Sequence, residues 1–329
     1  MTDPRLRSRR LVRGVRDVLL AAVTLGSTVA YGQGVSNDHV GRLVRLPDGR
    51  RINLRCVGEG SPTVIFEGGY AADSQAWYKV QPQIAKTRRA CSYDRAGYGL
   101  SDSGPEPRDG AAAAKDLDQT LRAAKVTGPY VVVGHSAGAL YLRLFAARRP
   151  RDVVGMVMVD PSIEHQDRRM EAVFGPGAGS LKGAHDRAVL CAAAADKKAL
   201  PSSDPALKAC GVTTSAGNWR AQLSEADTLW RTTSDEVAAT PLRGFTAPII
   251  VLTADGSFAT APPQIRAQVE TLWRQWHQET AGLSTRGQER VVARSSHLMM
   301  LDRPDAIIDA IGEVLKIATD RRSKNRSGI

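Results

Sequence analysis

Short apolar runs alternate with amphipathic stretches along most of the chain. The runs PTVIFEGG, PYVVVGHS, VVGMVMVD and APIIVLTAD are rich in β-branched residues and end in glycine or a polar residue. Strands that are apolar throughout are typical of a sheet that is buried on both faces. Stretches such as GAAAAKDLDQTLRAAKV separate them and are compatible with helices. The alternation predicts an α/β fold, with a mostly parallel sheet and helices on both of its faces.

The two ends of this pattern have their own signatures. GRLVRLPDGRRINLRCVG contains two alternating segments joined at PDG, which predicts a β-hairpin. PDAIIDAIGEVLKIA carries Ile307, Ile311, Val314 and Ala318 at helical spacing and predicts a closing helix.

One long segment interrupts the alternation. Residues 161–246 lie between two predicted strands and contain the helical patterns GAHDRAVLCAAAADKKAL and NWRAQLSEADTLW. A structureless loop of that length is unusual in a compact domain. We therefore expect a helical lid, inserted between a first core part at 33–160 and a second at 247–318. Residues 319–329 are expected to form a disordered basic tail.

The first residues resemble a targeting segment. Six arginines precede the apolar run Val18–Ala30, which ends in the sequence Ala30-Tyr31-Gly32. That order is typical of a secretory signal peptide, and the run is shorter than the about 20 residues that span a bilayer. We expect residues 1–32 to be removed, leaving no stable membrane span. The mature protein is then exported, to the periplasm or the extracellular space.

Charge and cysteine spacing exclude two classes of partner. The formal net charge of +11 falls to +7 without residues 1–32, and the remaining Lys and Arg are scattered without interleaved aromatic residues. This distribution argues against a nucleic-acid site. No Cys-x-x-Cys motif and no Cys/His cluster occurs in the sequence, which predicts no metal site.

The sequence GHSAG, at residues 134–138, predicts a nucleophile. It joins a predicted strand directly to a predicted helix, with Ser136 at the centre of the G-x-S-x-G pattern. Such a sharp turn lifts the serine hydroxyl clear of the sheet. A serine nucleophile needs a base. With a motif of this kind, the base is expected after the last strand of the chain, and His297 stands there. His135 neighbours the serine, but its side chain is expected to point elsewhere.

The base needs a carboxylate that orients it. Asp160 ends VVGMVMVD and Asp255 ends APIIVLTAD, so both give the order Ser, Asp, His. We favour Asp160, because it leaves its strand directly toward the side where Ser136 is expected to project. An oxyanion also needs N–H donors. The predicted donors are the backbone N–H groups of Ala137 and Gly69, the latter in the loop after TVIFEGG.

Together these segments resemble the α/β-hydrolase superfamily, in its esterase- and lipase-like group. The resemblance rests on FEGG, YDRAGYGLSD, GHSAG, VMVDP and SSHLMMLDRP, which span nearly the whole predicted mature chain. It implies a serine hydrolase that needs no metal or organic cofactor. One position departs from the family pattern, because Glu67 stands where a histidine often precedes the glycines. The hydrogen bonding of the oxyanion loop is therefore open.

The predicted function is that of an exported serine hydrolase acting on a small-molecule carboxylic ester. The same triad also fits amide, lactone or carbon–carbon cleavage, or cofactor-free perhydrolysis. A non-catalytic binding protein on a hydrolase fold is a further alternative. The residues predicted to line the pocket are Tyr70, Phe174, Trp219 and Trp230.

The four cysteines are expected to form two disulfides, since an exported chain permits them. In the resembled fold the strands that carry Cys56 and Cys91 are neighbours in the sheet. Cys191 and Cys210 both lie in the predicted lid. We therefore expect the pairs Cys56–Cys91 and Cys191–Cys210.

Overall fold

The computed structural model of the protein describes residues 40–196, 210, 215–242 and 244–327. The predicted signal peptide lies outside these residues. Within them, no helix combines the length and the apolar character needed to cross a membrane.

An eight-stranded sheet forms the centre of the molecule, in the order β1-β2-β4-β3-β5-β6-β7-β8. β1 and β2 form the predicted hairpin, β2 also pairs antiparallel with β4, and the remaining neighbours are parallel. The strands are β1 (Arg42–Arg45), β2 (Arg51–Val57), β3 (Thr63–Glu67), β4 (Ala90–Tyr93), β5 (Tyr130–His135), β6 (Val153–Val159), β7 (Ile249–Ala254) and β8 (Gly287–Val292).

Helices cover both faces of this sheet. Along β5, Val132 belongs to one apolar cluster and Val131 and Val133 to another, so alternate side chains enter different halves of the core. The fold is therefore the predicted α/β fold. The helices are α1 (Gln81–Ile84), α2 (Gly110–Ala123), α3 (Ala137–Arg148), α4 (Gln166–Phe174), α5 (Lys182–Asp196), α6 (Ala216–Thr228), α7 (Ser234–Ala239), α8 (Pro263–Ala281), α9 (Met299–Asp302) and α10 (Pro304–Ser327).

The described part of the segment between β6 and β7 contains helices, as predicted. It carries α4 to α7, and a π-helical turn over Leu229–Thr233 connects α6 to α7. We call residues 161–246 the insert. At the other end of the chain, the expectation of a disordered tail from residue 319 is wrong for most of its length, because α10 continues to Ser327.

Two disulfides link neighbouring elements. Cys56 and Cys91 face each other in the antiparallel register of β2 and β4, with their Cα atoms 4.0 Å apart. Cys191 in α5 is joined to Cys210, at a Cα separation of 5.4 Å. One bridge therefore lies in the sheet and the other lies in the insert.

Candidate active site

Ser136 occupies the sharp turn between β5 and α3. Its backbone has φ 51° and ψ −126°, a conformation that a residue with a side chain adopts only under strain. Its N–H donates to the carbonyl of Val159 at 3.1 Å, and its own carbonyl accepts from the N–H of Ser162 at 3.1 Å. These bonds tie the turn to the carboxyl end of β6. Ser136 is thereby held at the carboxyl end of the central parallel strands.

Asp160 and His297 form a hydrogen-bonded pair beside this turn. Asp160 directly follows β6 and has no solvent exposure, whereas His297 is partly exposed on the loop after β8. The Nδ1 atom of His297 lies 2.6 Å from Oδ2 of Asp160. Because Nδ1 is used in this bond, Nε2 is the ring nitrogen that is left for proton transfer.

Three further donors surround the carboxylate of Asp160. Oδ1 accepts the N–H of Ala254 at 3.1 Å and the indole N–H of Trp273 at 3.0 Å, and Oδ2 accepts the hydroxyl of Ser257. Burial by itself raises the pKa of Asp160, but the hydrogen bond and charge of His297, with smaller contributions from His277 and Ser257, lower it below its ordinary value. The carboxylate therefore stays ionised at neutral pH.

Asp255, the alternative acid, lies elsewhere. It is exposed, and its carboxylate accepts the backbone N–H groups of Arg294 at 2.8 Å and Ser295 at 3.0 Å. These bonds shape the loop that leads to His297. The structure thus pairs the histidine with Asp160 and uses Asp255 to hold the loop.

No role is predicted for His135 from the sequence, yet its buried ring contacts the ring of His297, with the centroids 4.6 Å apart. Its Nε2 lies 2.8 Å from the backbone carbonyl oxygen of His297. Because a carbonyl only accepts, this nitrogen carries the proton and Nδ1 is bare. Burial is the main cause that lowers the pKa of His135 to about 3, and the neighbouring His297 lowers it further. His135 is therefore neutral at neutral pH.

The loop after β3 lies directly against the nucleophile turn. A Cβ atom added to Gly69 would lie 3.0 Å from Cβ of Ser136 and 2.9 Å from Nδ1 of His135. A Cβ added to Gly138 would lie 2.5 Å from the carbonyl oxygen of Gly68. Both positions require glycine, because the loop and the start of α3 approach more closely than side chains allow. This contact brings backbone of the loop beside Ser136.

Glu67 ends β3, directly before this loop. It is buried, accepts from Arg95 Nη1 at 2.8 Å and accepts the hydroxyl of Tyr93. Burial raises the pKa of Glu67 to about 7, against the opposing effect of Arg95 and with a smaller contribution from Glu225 in the same direction. Glu67 is therefore paired with Arg95, and the same guanidinium donates to the carbonyls of Gly68 and Gly69 in the loop.

The four predicted pocket residues are spread over three apolar clusters. Phe174 packs against the cluster that contains Trp273, and Trp219 packs with both insert cysteines. Tyr70 and Trp230 belong to the main core cluster. Tyr70 Oη and Trp230 Nε1 are buried and have no hydrogen-bond partner among the described residues.

Other buried groups around the site carried no signal in the sequence. His277 in α8 bridges Thr253, at 2.8 Å from Nδ1, and the carbonyl of Pro161, at 2.9 Å from Nε2. Ser162 has its hydroxyl 3.4 Å from that of Ser136. The partners in these contacts are 24 to 116 positions apart in the sequence, so only the folded chain brings them together.

The arrangement is suited to nucleophilic chemistry. Ser136 lies on a strained turn, a buried carboxylate orients His297, and the ring of His297 contacts His135, the residue before the serine. The glycine loop lies against Ser136 and His135. In the described ranges, no group of three or more His, Cys, Asp or Glu side chains is placed to hold a metal ion.

The chain belongs to the alpha/beta hydrolase family, whose family model matches residues 64–310. Fold and family support hydrolase activity. Among curated relatives, it is 36% identical to the uncharacterized protein YqjL of Bacillus subtilis over 106 residues, which are 32% of this chain and 42% of that protein. It is 38% identical to an AB hydrolase superfamily protein of Gibberella zeae over 112 residues, 32% of this chain and 35% of that protein. The chain thus matches less than half the length of these relatives.

Solved structures share the fold at low identity. A thermophilic esterase from Thermogutta terrifontis is 20% identical, with a TM-score of 0.56 over 84% of this chain and 98% of that one. The epoxide hydrolase CorEH is 16% identical, with a TM-score of 0.59 over 84% of this chain and 98% of that one. Since these similar structures differ in their reactions, the fold leaves the substrate open.

Proposed function

We propose that this protein is an exported serine hydrolase that cleaves a carboxylic ester through an acyl-enzyme. The observation that carries the proposal is the hydrogen-bonded pair of His297 and the buried Asp160, together with the strained turn at Ser136, since the residue before the serine, His135, contacts the ring of His297. Ester hydrolysis fits a serine nucleophile, whereas an epoxide or haloalkane hydrolase of this superfamily uses a carboxylate at that position.

In the proposed mechanism, Ser136 Oγ attacks the ester carbonyl carbon and gives its proton to Nε2 of His297. Asp160 stabilises the imidazolium that forms. The backbone N–H groups of Ala137 and Gly69 donate to the oxyanion, whose stabilisation is usually the largest single contribution to catalysis. The tetrahedral intermediate expels the alcohol, which takes the proton from His297. Water then attacks the acyl-enzyme with His297 as base and releases the acid.

We further propose that the insert forms the lid of this site. Tyr70 and Trp230 are its proposed pocket residues, since their buried polar atoms have no partner in the described part of the chain and can bind polar atoms of a substrate. Phe174 and Trp219 are packed into the insert clusters and stay predictions as pocket walls. Export is supported by the two disulfides, because such bonds persist in oxidising compartments.

The test combines active-site labelling with an ester panel. A fluorophosphonate should modify the folded protein, and peptide mass spectrometry should place the label on Ser136. Ser162 is the internal control, because its hydroxyl lies 3.4 Å from that of Ser136 but carries no proposed role. p-Nitrophenyl esters of increasing acyl length should be hydrolysed, and Ser136→Ala should lower kcat by about 10³-fold or more without unfolding the chain. No labelling of the folded protein, or full hydrolysis by Ser136→Ala, would contradict the proposal.

A further inference from the structure

A charged cluster is buried between the insert and the glycine loop. Its centre is Arg95, on the loop after β4, and its two carboxylates are Glu67 at the end of β3 and Glu225 in α6 of the insert. The three side chains are only 2%, 1% and 3% exposed, respectively. We call these three residues the Arg95 cluster. It joins three parts of the chain in a region that excludes water.

All five N–H groups of the Arg95 guanidinium are used. Two meet Glu225, from Nε to Oε1 at 2.8 Å and from Nη2 to Oε2 at 3.1 Å. One meets Glu67 at 2.8 Å, and the last two meet the carbonyl oxygens of Gly68 at 2.9 Å and Gly69 at 2.8 Å. The planar guanidinium fixes the directions of these bonds relative to one another. The carboxylate of Glu225 and the glycine loop are therefore oriented by one rigid group.

Glu225 is itself held in place. Its Oε2 also accepts the hydroxyl of Tyr98 at 2.8 Å, and the Arg95 guanidinium lies 4.5 Å from the centroid of the Tyr98 ring. Without the Glu225 carboxylate, the guanidinium would keep Glu67 and the two carbonyls but lose its bidentate partner. A buried guanidinium with unpaired donors shifts toward other acceptors, because unpaired buried donors are unfavourable. The carbonyls of Gly68 and Gly69 would move with it.

We infer that Glu225 is a positioning residue, which acts through Arg95 to set the glycine loop beside Ser136. The inference rests on the proposed function, since it concerns the loop that supplies the Gly69 N–H to the oxyanion. According to this inference, the oxyanion site is assembled only when the insert is docked on the core. The consequence for catalysis is specific: the oxyanion of the transition state loses stabilisation, whereas binding of the uncharged ester does not.

The test is the variant Glu225→Gln, which keeps the shape of the side chain and removes its charge. Three quantities are measured: kcat and KM for a p-nitrophenyl ester, and the inhibition constant of an alkyl boronic acid, which forms a tetrahedral adduct with the serine. Loss of one complete oxyanion donor lowers kcat by about 10²- to 10³-fold, so displacement of a donor should lower it by about 10- to 100-fold. KM should stay within about 3-fold of wild type, and boronic acid binding should weaken in parallel with kcat/KM.

Glu236→Gln is the matched control. Glu236 also links the insert to the core, by accepting the N–H of Ala111 at 2.8 Å, but it does not contact the Arg95 cluster. This variant should keep kcat, KM and the inhibition constant within about 3-fold of wild type. If Glu225 has a purely structural role, Glu225→Gln will lower the melting temperature but leave kcat, KM and the inhibition constant unchanged in the folded fraction. That result would overturn the inference.

A second variant covers the case in which Glu225→Gln does not fold. Glu225→Asp keeps the charge but shortens the reach to Arg95, and it is measured in the same way with the same expected direction. Wild-type kcat and boronic acid affinity in this variant would overturn the inference. If wild type hydrolyses the ester and only the effect of Glu225 is absent, the proposed function stands. If wild type neither hydrolyses the ester nor binds the boronic acid, both fail.

Discussion

His135 holds the backbone of His297 through a hydrogen bond of 2.8 Å from its Nε2 to the carbonyl oxygen. The residue before the proposed nucleophile thus fixes the loop of the proposed base. The bond requires a neutral His135 with its proton on Nε2, and burial provides this state by lowering the pKa to about 3. Protonation of this ring is therefore coupled to unfolding.

The first prediction concerns stability in acid. Between the ordinary His pKa of 6.5 and the folded value of about 3, the unfolded chain binds a proton at residue 135 that the folded chain does not. The free energy of unfolding should therefore fall as pH falls through this range, by about 1.4 kcal/mol per pH unit from this group. His135→Gln should lack this contribution.

Urea denaturation of both proteins at several pH values between 7 and 4 measures the difference. Glu67 contributes with the opposite sign, because its pKa is raised to about 7 and its stabilising effect is lost as pH rises. This contribution is common to both proteins and cancels in the difference. Parallel curves for the two proteins would contradict the assignment.

The second prediction separates the two aspartates. Asp160→Asn should lower kcat by up to about 10⁴-fold, because the amide no longer stabilises the imidazolium. Asp255→Asn should keep kcat within about 10-fold and mainly lower stability, since Asp255 binds two backbone N–H groups of the loop. Steady-state kinetics and thermal denaturation check both variants. An inactive, folded Asp255→Asn beside an active Asp160→Asn would reverse the assignment.

The third prediction tests the close approach of the glycine loop. In Gly69→Ala the new Cβ would lie 2.9 to 3.0 Å from atoms of His135 and Ser136, so the loop must move away. We expect kcat to fall by at least about 10-fold, as small displacements in an active site do. The control is Gly312→Ala in α10, where nothing lies within 4 Å of the added Cβ. It should keep full activity and gain about 0.5 to 1 kcal/mol in stability.

The fourth prediction concerns the disulfides. The two bridges close loops of 35 and 19 residues, for which loop-closure entropy gives a stabilisation of about 3 to 4 kcal/mol each. The double variants Cys56→Ser/Cys91→Ser and Cys191→Ser/Cys210→Ser should each lose stability of this order in denaturant titrations. Peptide mapping without reduction should recover both linked pairs from protein made in an oxidising compartment. Four free thiols, or a link from Cys56 to either insert cysteine, would exclude this pairing.

The sequence predicted those features that depend on local pattern. The parallel strands are continuous apolar runs, and the fold they predicted is confirmed by the family match and the sheet order. Ser136 lies in a short motif that can be recognised without any knowledge of distant residues. The local pattern was misleading at the end of the chain. A polar, basic composition predicted a disordered tail, but such a composition does not by itself prevent α10 from continuing to Ser327.

Features that depend on the packing of distant segments were not predictable. The indole of Trp273 reaches Asp160 across 113 positions of sequence, and Glu225 reaches Arg95 across 130. Neither pair has a characteristic spacing or composition. The preference for Asp160 over Asp255 could be argued from the sequence, but the bond from His297 to Asp160 depends on the folded position of the His297 loop.

The Arg95 cluster limits how freely the insert can be exchanged. Arg95 and Glu67 belong to the core, but two of the five hydrogen bonds of the guanidinium end on Glu225 of the insert. A chimera that receives residues 161–246 from another protein would leave two buried donors unsatisfied unless the graft carries a carboxylate in the same register. The core and the insert are therefore constrained to change together at this contact.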